Sequence, residues 1–310
     1  MYSKFNMKID QPANNNSLNN ISLPFSLEES GIPGNFIRMN DEVDKILRKH
    51  KYPIVVSKLL GELLILTSML GTTLKLDGIL SIQAQGDGII GFISADYNSK
   101  GHIRGYAHVN DKDKIKKIKP VNRKKQDITE LFGKGNIVIT IENKNDKPYQ
   151  AIVPLEGQNL SLCIMDYLRY SSQLHASIKV TTHKVHKKWH AAGIMLQYFE
   201  KPNTLKDELD ENFNRASILM ESATEKELVD DNLPIPTLLF RLFNEDGVRI
   251  YEHRKLEAHC RCSRERMLNA LKMLGKEELK NMKIKDKITL TCQFCNNKEK
   301  FEEGDVIGEF

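Results

Sequence analysis

Only one tryptophan and five cysteines occur in the 310 residues, and four of the five cysteines fall between Cys260 and Cys295. Cysteine this sparse cannot staple a chain of this length, which excludes a disulfide-built scaffold and leaves the cluster to metal or redox chemistry. The longest uncharged apolar stretch, Leu63 to Leu74, has twelve residues, whereas a membrane-spanning helix wants about 20, so no integral membrane protein is expected. The first twenty residues hold Lys4, Lys8 and Asp10 and then an Asn-rich tract. They lack the apolar block of about 7–15 residues that a secretory signal needs. A cytoplasmic protein with a disordered tail over 1–21 is the expectation. Neither a Gly-x-Ser-x-Gly elbow nor a phosphate loop ending in Gly-Lys-Ser/Thr is present, which removes the usual supports for hydrolase and nucleotide-hydrolysing readings. What remains, 40% hydrophobic and 28% charged residues with a net charge of +5, suits a globular protein of about two domains.

The charge is uneven. Lys112, Lys114, Lys116, Lys117, Lys119, Arg123, Lys124 and Lys125 face a single acid, Asp113, giving a local +7 and leaving −2 for the rest of the chain. No aromatic residue interleaves this run and Pro120 interrupts it, so it reads as a solvated loop and not as a nucleic-acid groove. Residues 200–232 have the opposite bias, ten acids against four bases. Thr224 followed by Glu227 is a capping-box pattern, and Thr204 is placed to cap an earlier helix. With few large apolar residues, 200–253 is expected to be a metastable helical linker.

Upstream, Asn40 is placed to cap a helix carrying Val43, Ile46 and Leu47, and a more buried helix runs through Leu59, Leu63, Leu64 and Leu70. Strand-like runs follow at 80–85, 92–95, 137–141 and 149–153, then a helix over 160–170 and a strand over 176–180. Helices and strands joined by hairpin-length connections predict an α+β domain over 22–199. Gly86, Gly88 and Gly91 match the G-x-G-x-x-G spacing, but Phe92-Ile93-Ser94-Ala95 reads as a strand where a dinucleotide site needs a helix. His183, His186 and His190 would share a face on a helix, yet Lys187 stands where a metalloprotease has its general base, and an exposed loop is expected. Cys163, alone among apolar neighbours, reads as a small buried residue.

The strongest pattern is Cys260-Arg261-Cys262 followed, after a long insert, by Cys292-Gln293-Phe294-Cys295. Two close pairs held apart by a helical insert can set four thiolates at the corners of a tetrahedron, the arrangement of a tetrathiolate zinc site. Ser263 is placed to cap a helix with Met267, Ala270, Leu271 and Leu274 on one face and Gly275 at its end. Ile288 and Leu290 alternate on a strand entering the second pair, and Phe301 sits on a return strand. A domain over 254–310 with so small a core would depend on one Zn2+, since structural zinc is worth about 10–16 kcal/mol in apparent free energy. A thioredoxin-like dithiol would need a helix starting at Cys292 to Cys295, where Asn296-Asn297 instead reads as a turn. A zinc-ribbon nucleic-acid-binding protein and a disulfide oxidoreductase are the alternatives.

These cysteines stand with several upstream strings: Gly61-Glu62-Leu63-Leu64 with Thr67-Ser68, Leu74-Lys75-Leu76-Asp77-Gly78, Gln85-Gly86-Asp87-Gly88, Arg104-Gly105, Leu155-Glu156-Gly157, Asp166-Tyr167, Ala191-Ala192-Gly193 with Met195, and Cys262-Ser263-Arg264-Glu265-Arg266. In this order the chain resembles the heat shock protein 33 family of redox-regulated holdase chaperones. The family's usual Ser-Glu-Gln reads Ser171-Ser172-Gln173 here. The resemblance implies that Cys260, Cys262, Cys292 and Cys295 hold zinc in a reduced, inactive monomer. It further implies that oxidation pairs Cys260 with Cys262 and Cys292 with Cys295, releases the metal, unfolds the zinc domain and linker, and yields a homodimer that binds unfolding client proteins without ATP. On this reading the protein is not an enzyme, and neither a membrane nor a nucleic acid is its partner.

Overall fold

The computed structural model describes residues 18–74, 76–118, 127–144, 146–157, 159–199, 206–274, 279, 283–284 and 287–306. The chain divides into two compact units, Met1–Ala258 and His259–Phe310. The first begins with strands β1 (Ile21–Leu27) and β2 (Pro33–Met39), then helices α1 (Asp41–Leu47) and α2 (Ile54–Thr73). Strands β3 (Gly78–Gly86), β4 (Ile90–Asn98) and β5 (His102–Val109) lead to short helices α3 (Lys112–Lys117) and α4 (Thr129–Phe132). Then come β6 (Gly135–Asn143), β7 (Tyr149–Pro154), α5 (Leu160–Ser172), β8 (Leu174–Val185) and β9 (Lys188–Phe199). Helices α6 (Lys206–Ser222), α7 (Glu225–Val229) and α8 (Ile235–Leu242) and strands β10 (Val248–Ile250), β11 (Arg254–Lys255) and β12 (Glu257–Ala258) close the unit.

Two sheets result. Sheet 1 has the order β10-β1-β2-β9-β8 with β11 also on β1, and sheet 2 the order β12-β5-β4-β3-β6-β7. Helix α2 is apolar all round, so it can only be stable with cover on every side. Its Leu60, Leu63, Leu64, Leu66 and Met69 share one core with Ile82, Ile93, Ala95 and Ile139 of sheet 2 and with Ile37, Met39, Ile178 and Met195 of sheet 1. Glycines let the helix approach this closely. A Cβ at residue 71 would fall 2.1 Å from a ring carbon of Tyr97 on β4, and one at residue 61 would fall 2.6 Å from Thr182 on β8. By length and composition α2 could cross a membrane, but 89% of its apolar window is buried inside the fold. It outruns the twelve-residue stretch of the sequence because it also carries Lys58 and Glu62.

The opposite face of sheet 1 is apolar as well. Leu23, Phe25, Phe36, Ile194 and Leu196 pack against Ala216, Met220, Leu228, Val229, Leu238, Leu239 and Phe243 of α6 to α8. Strands buried on both faces read as near-continuous apolar runs and not as alternations. Sheet 2 differs, since its strands alternate buried and exposed positions, as expected where one face meets water.

Several sequence expectations meet a different structure. Of the 1–21 tail, residues 1–17 lie outside the described residues, whereas Asn20 and Ile21 belong to the fold, the Asn20 side-chain oxygen accepting from the N–H groups of Asn40 and Glu42. In the 200–253 segment Thr204 lies outside the described residues, and the helices from 206 onward are packed as a layer on sheet 1. The segment holds on with few but well-placed apolar side chains. The boundary with the second unit falls after Ala258 and not after 253, because β11 and β12 still pair with β1 and β5. Residues 112–117 of the basic run form a helix around buried Ile115, not a loop; 119–126 lie outside the described residues.

Gly71→Ala is expected to lower the thermal midpoint despite alanine's better helix propensity. Overpacking against Tyr97 costs about 1–3 kcal/mol, whereas the propensity gain is about 1 kcal/mol. Thermal denaturation followed by circular dichroism checks this, and an unchanged or raised midpoint would contradict the close α2–β4 contact.

Candidate metal centre

The second unit is built around sulfur. Ser263 caps helix α9 (Arg264–Lys272), its hydroxyl accepting from the Arg266 N–H at 3.2 Å, so Cys260 and Cys262 sit on the extended segment just before the helix. Strands β13 (Lys283–Ile284), β14 (Lys287–Thr291) and β15 (Lys298–Glu302) form a three-stranded antiparallel sheet. Cys292 and Cys295 lie in the turn between β14 and β15. That turn is closed by Asn296 N–H on Cys292 O and Cys292 N–H on Asn297 O, both 2.8 Å, with Asn296 in the left-handed region (φ 59°). Among the described residues Met267, Leu271, Leu279, Ile288 and Phe301 form the unit's buried core, with Cys262 and Cys292 packed against them. The Arg264 guanidinium lies 4.5 Å from the centre of the Phe301 ring and donates to Lys300 O, tying the helix to β15. Gly275, the expected helix stop, lies outside the described residues.

The four sulfurs lie within 4.8 Å of one another, with Cys260 Sγ 3.7 Å from Cys292 Sγ and Cys262 Sγ 3.3 Å from Cys295 Sγ. A regular tetrahedron with metal–sulfur bonds of about 2.3 Å has edges of about 3.8 Å, so these four cysteines could hold a metal ion. Their protonation is uneven. Burial opposes the charge on Cys260, but the backbone N–H of Cys262 and the thiols of Cys262, Cys295 and Cys292 outweigh it and lower its pKa. Burial raises Cys262, as do its bonds to Cys295 and Cys260 and the neighbouring charges of Cys260 and Cys292. Burial also raises Cys295. Four sulfurs this close cannot all ionise without a cation among them, which is the electrostatic case for a metal.

The other sequence candidates are dispersed. His183 and His190 face each other across the β8–β9 hairpin, and His186 occupies its turn with a positive φ. His186 and Lys187 form an exposed turn as expected, but His183 and His190 lie on strands, and His190 is 4% exposed because β9 runs beneath α7. His183 Nε2 pairs with Glu225, and His190 Nδ1 lies 3.6 Å from Asp231. Among the described residues only the four cysteines group as a metal site. Gly86 and Gly88 make the tight β3–β4 hairpin turn, the Gly88 N–H bonding to Phe132 O at 2.7 Å. Cys163 is buried, its thiol pushed up to about 11 by burial and by the charge of Asp166.

One residue escaped the sequence reading altogether. Arg38 on β2 is fully buried, its Nε donating to Leu228 O (2.9 Å) and its guanidinium to Leu233 O (2.8 Å) and Glu227 O (3.4 Å). Burial lowers its pKa to about 10, with Asp231 and Asp230 acting the other way. A lone cation inside Phe36-Ile37-Arg38-Met39 was the signal available.

Fold and site together define a two-unit α+β protein with a cluster of four cysteines, placed as a metal site would have them, in its small C-terminal unit. The family model described as Hsp33 protein matches residues 21–302. The 33 kDa chaperonin of Caulobacter vibrioides is 32% identical over 285 residues, 90% of this chain and 93% of the relative. That of Escherichia coli is 34% identical over 283 residues, 91% and 92% respectively. The crystal structure of the 33 kDa chaperonin from Thermotoga maritima superposes with a TM-score of 0.77 at 20% identity, covering 93% of this chain and 96% of that one, which shows the shared fold. The chain belongs to the Hsp33 family, and is thus a chaperone by kinship.

Cys292→Ser is expected to abolish tight metal binding and to leave residues 259–310 without fixed structure, readable by loss of amide dispersion in that unit alone. In the parent, apparent metal affinity should rise with pH, because each bound thiolate releases a proton. Chelator competition at pH 6 and pH 8 checks the sign, and pH-independent affinity would contradict thiolate ligation.

Proposed function

We propose that this chain is an ATP-independent holdase whose client binding is gated by the oxidation state of Cys260, Cys262, Cys292 and Cys295, with one Zn2+ held by their thiolates in the reduced monomer. The observation that carries this reading is four sulfurs within 4.8 Å beside a small core, five buried apolar residues among the described ones. Bound zinc would supply fixed positive charge that holds the thiolates together and supplements the small core.

Oxidation then acts on donors. The thiolates of Cys292 and Cys295 give up two electrons to form one disulfide, while a peroxide takes those electrons and two protons from solvent to become two waters, and Cys260 with Cys262 does the same. Either event removes two of the four donors, and the small core is left to fold alone. Each disulfide closes a very short loop, so it constrains the unfolded chain little and stays reducible. In this scheme 254–310 is the redox switch, 200–253 the metastable linker and 22–199 the chaperone core. Unfolding of the switch removes the fixed end of the linker helices.

Release of α6 to α8 would uncover Leu23, Phe25, Phe36, Ile194 and Leu196 on sheet 1, a contiguous apolar face able to hold an unfolding polypeptide or a second copy of the chain. Homodimers of the oxidised form follow from the same exposure. Holding by burial of apolar surface needs no bond-making residues, which fits a chaperone without catalysis, acting in the cytoplasm.

The test follows metal release with a chromogenic chelator during peroxide treatment, with light scattering of a heat-denaturing client on the same samples. One zinc per chain released together with new suppression of aggregation is expected. Release without holding activity would sink the gating. As a second expectation, Arg38→Met should leave buried carbonyls unpaired, at about 1–3 kcal/mol each, and undock the linker without oxidant. Faster hydrogen exchange at 225–243 with holding activity in the reduced protein is the expected readout. Unchanged protection would contradict the role given to Arg38.

A further inference from the structure

The outer face of sheet 2 carries a row of rings that the proposed holdase cycle does not use. Cross-strand register aligns Gln85, Phe92 and His108 in one row and Gln83, Ser94 and Tyr106 in the next. Phe92 stacks on His108 at 5.7 Å and meets Tyr106 at 5.7 Å. Tyr106 in turn meets His50 at 5.3 Å, and His50 stacks on Tyr52 at 5.1 Å. The Tyr52 hydroxyl, accepting from the Ala107 N–H at 2.9 Å, fixes this end of the row to strand β5. His108 is exposed, and Phe92, Tyr106 and His50 are half-buried.

Lysines border the rings. A cleft of about 340 Å³ is lined by His50, Tyr106 and His108 together with Lys51, Lys112 and Lys116. Helix α3 presents Lys112, Lys114, Lys116 and Lys117 around buried Ile115, with Asp113 its one acid, and Asp111 is committed to capping the helix. Along the chain the basic run has no aromatic partners, but the fold supplies them from β4, β5 and the segment after α1.

We propose that this face binds a short single-stranded RNA, its bases stacked on Phe92, Tyr106 and His108 and its phosphates on Lys51, Lys112 and Lys116. Aromatic side chains on neighbouring antiparallel strands are a platform for splayed bases, and stacking is tolerant of sequence. Exposed Gln85 and half-buried Gln83 on the same face offer hydrogen-bond partners for 2′-hydroxyls, which DNA lacks. The lysine rim favours a polyanion over an apolar polypeptide. The inference does not depend on the holdase reading, since it concerns the reduced chain without client.

The experiment is fluorescence anisotropy of a labelled 12-nucleotide oligouridine titrated with the full reduced, zinc-loaded chain between 50 and 200 mM KCl. Saturable binding that weakens with salt is expected. Lys112→Ala with Lys116→Ala should flatten the log–log salt slope by about 1.4, at about 0.7 per phosphate contact on a single strand. Tyr106→Leu and His108→Ala should each weaken binding about five-fold or more at every salt concentration while leaving that slope unchanged. His108, being exposed, provides a variant that keeps the fold if Tyr106→Leu does not. No saturable binding at 50 mM KCl, ring variants that bind like the parent, or equal affinity for oligothymidine would each overturn the proposal. So would salt-insensitive displacement by an unfolded polypeptide, which would mark the face as a polypeptide surface.

Discussion

A sheet that is apolar on both faces has to be covered on both, and sheet 1 is such a sheet. One cover, α2, is permanent: it is threaded between the two sheets, shares its core with both, and is admitted by glycines where it crosses β4 and β8. The other cover, α6 to α8, comes from the C-terminal side of the chain, is shorter, and carries many charges on its outer surface. The remaining architecture follows from this asymmetry. Strands β1 and β2 can bury side chains on both faces only because both layers exist, and the buried Arg38 is satisfied by carbonyls that the outer layer brings to it. Capping and ion pairing hold that layer in place: the Thr224–Glu227 capping box, Lys179 with Glu221, His183 with Glu225, and Arg215 with Asp246. The half-exposed pairs contribute little each, Asp246 being the one fully buried partner, so the apolar contact supplies most of the attachment.

The C-terminal unit solves a different problem. Among its described residues the buried core is small, and Cys262 and Cys292 of the sulfur cluster pack directly against it. Small domains of this size commonly need such a staple. In the proposed function, a staple placed on oxidisable sulfurs would make the order of the unit conditional on their oxidation state.

Much of this was legible in the sequence, for reasons that differ by element. The cysteine spacing, the Ser263 and Asn40 caps and the Lys287–Thr291 strand depend on local chemistry, and local chemistry is written in consecutive residues. Strand β3 was readable because its residues alternate between a buried face and one that meets water, and β4, β6 and β7 because turn residues bound their apolar runs. Strands β1, β2 and β9 carry no such alternation, since both of their faces are buried. The packing of 206–243 was hidden because Ala216, Met220 and Ala223 are modest apolar residues that matter only opposite the right sheet. His183 and His190 were misplaced for a related cause: a hairpin turn at His186-Lys187 with two residues at positive φ has no glycine to announce it. The aromatic row on sheet 2 is assembled from three separate segments, so no window of sequence contains it.

The buried guanidinium of Arg38 has a consequence once the outer layer is gone. A residue that is satisfied by carbonyls in the docked state becomes, in the undocked one, a solvated positive charge in the midst of a bare apolar sheet. Two such sheets meeting in register would have to desolvate two like charges against each other, which is costly in a low-dielectric contact, so a homodimer over this face would have to be offset. A flexible polypeptide can route its backbone carbonyls to the charge or pass around it. The residue that ties the cover down would therefore also restrict the geometry of self-association.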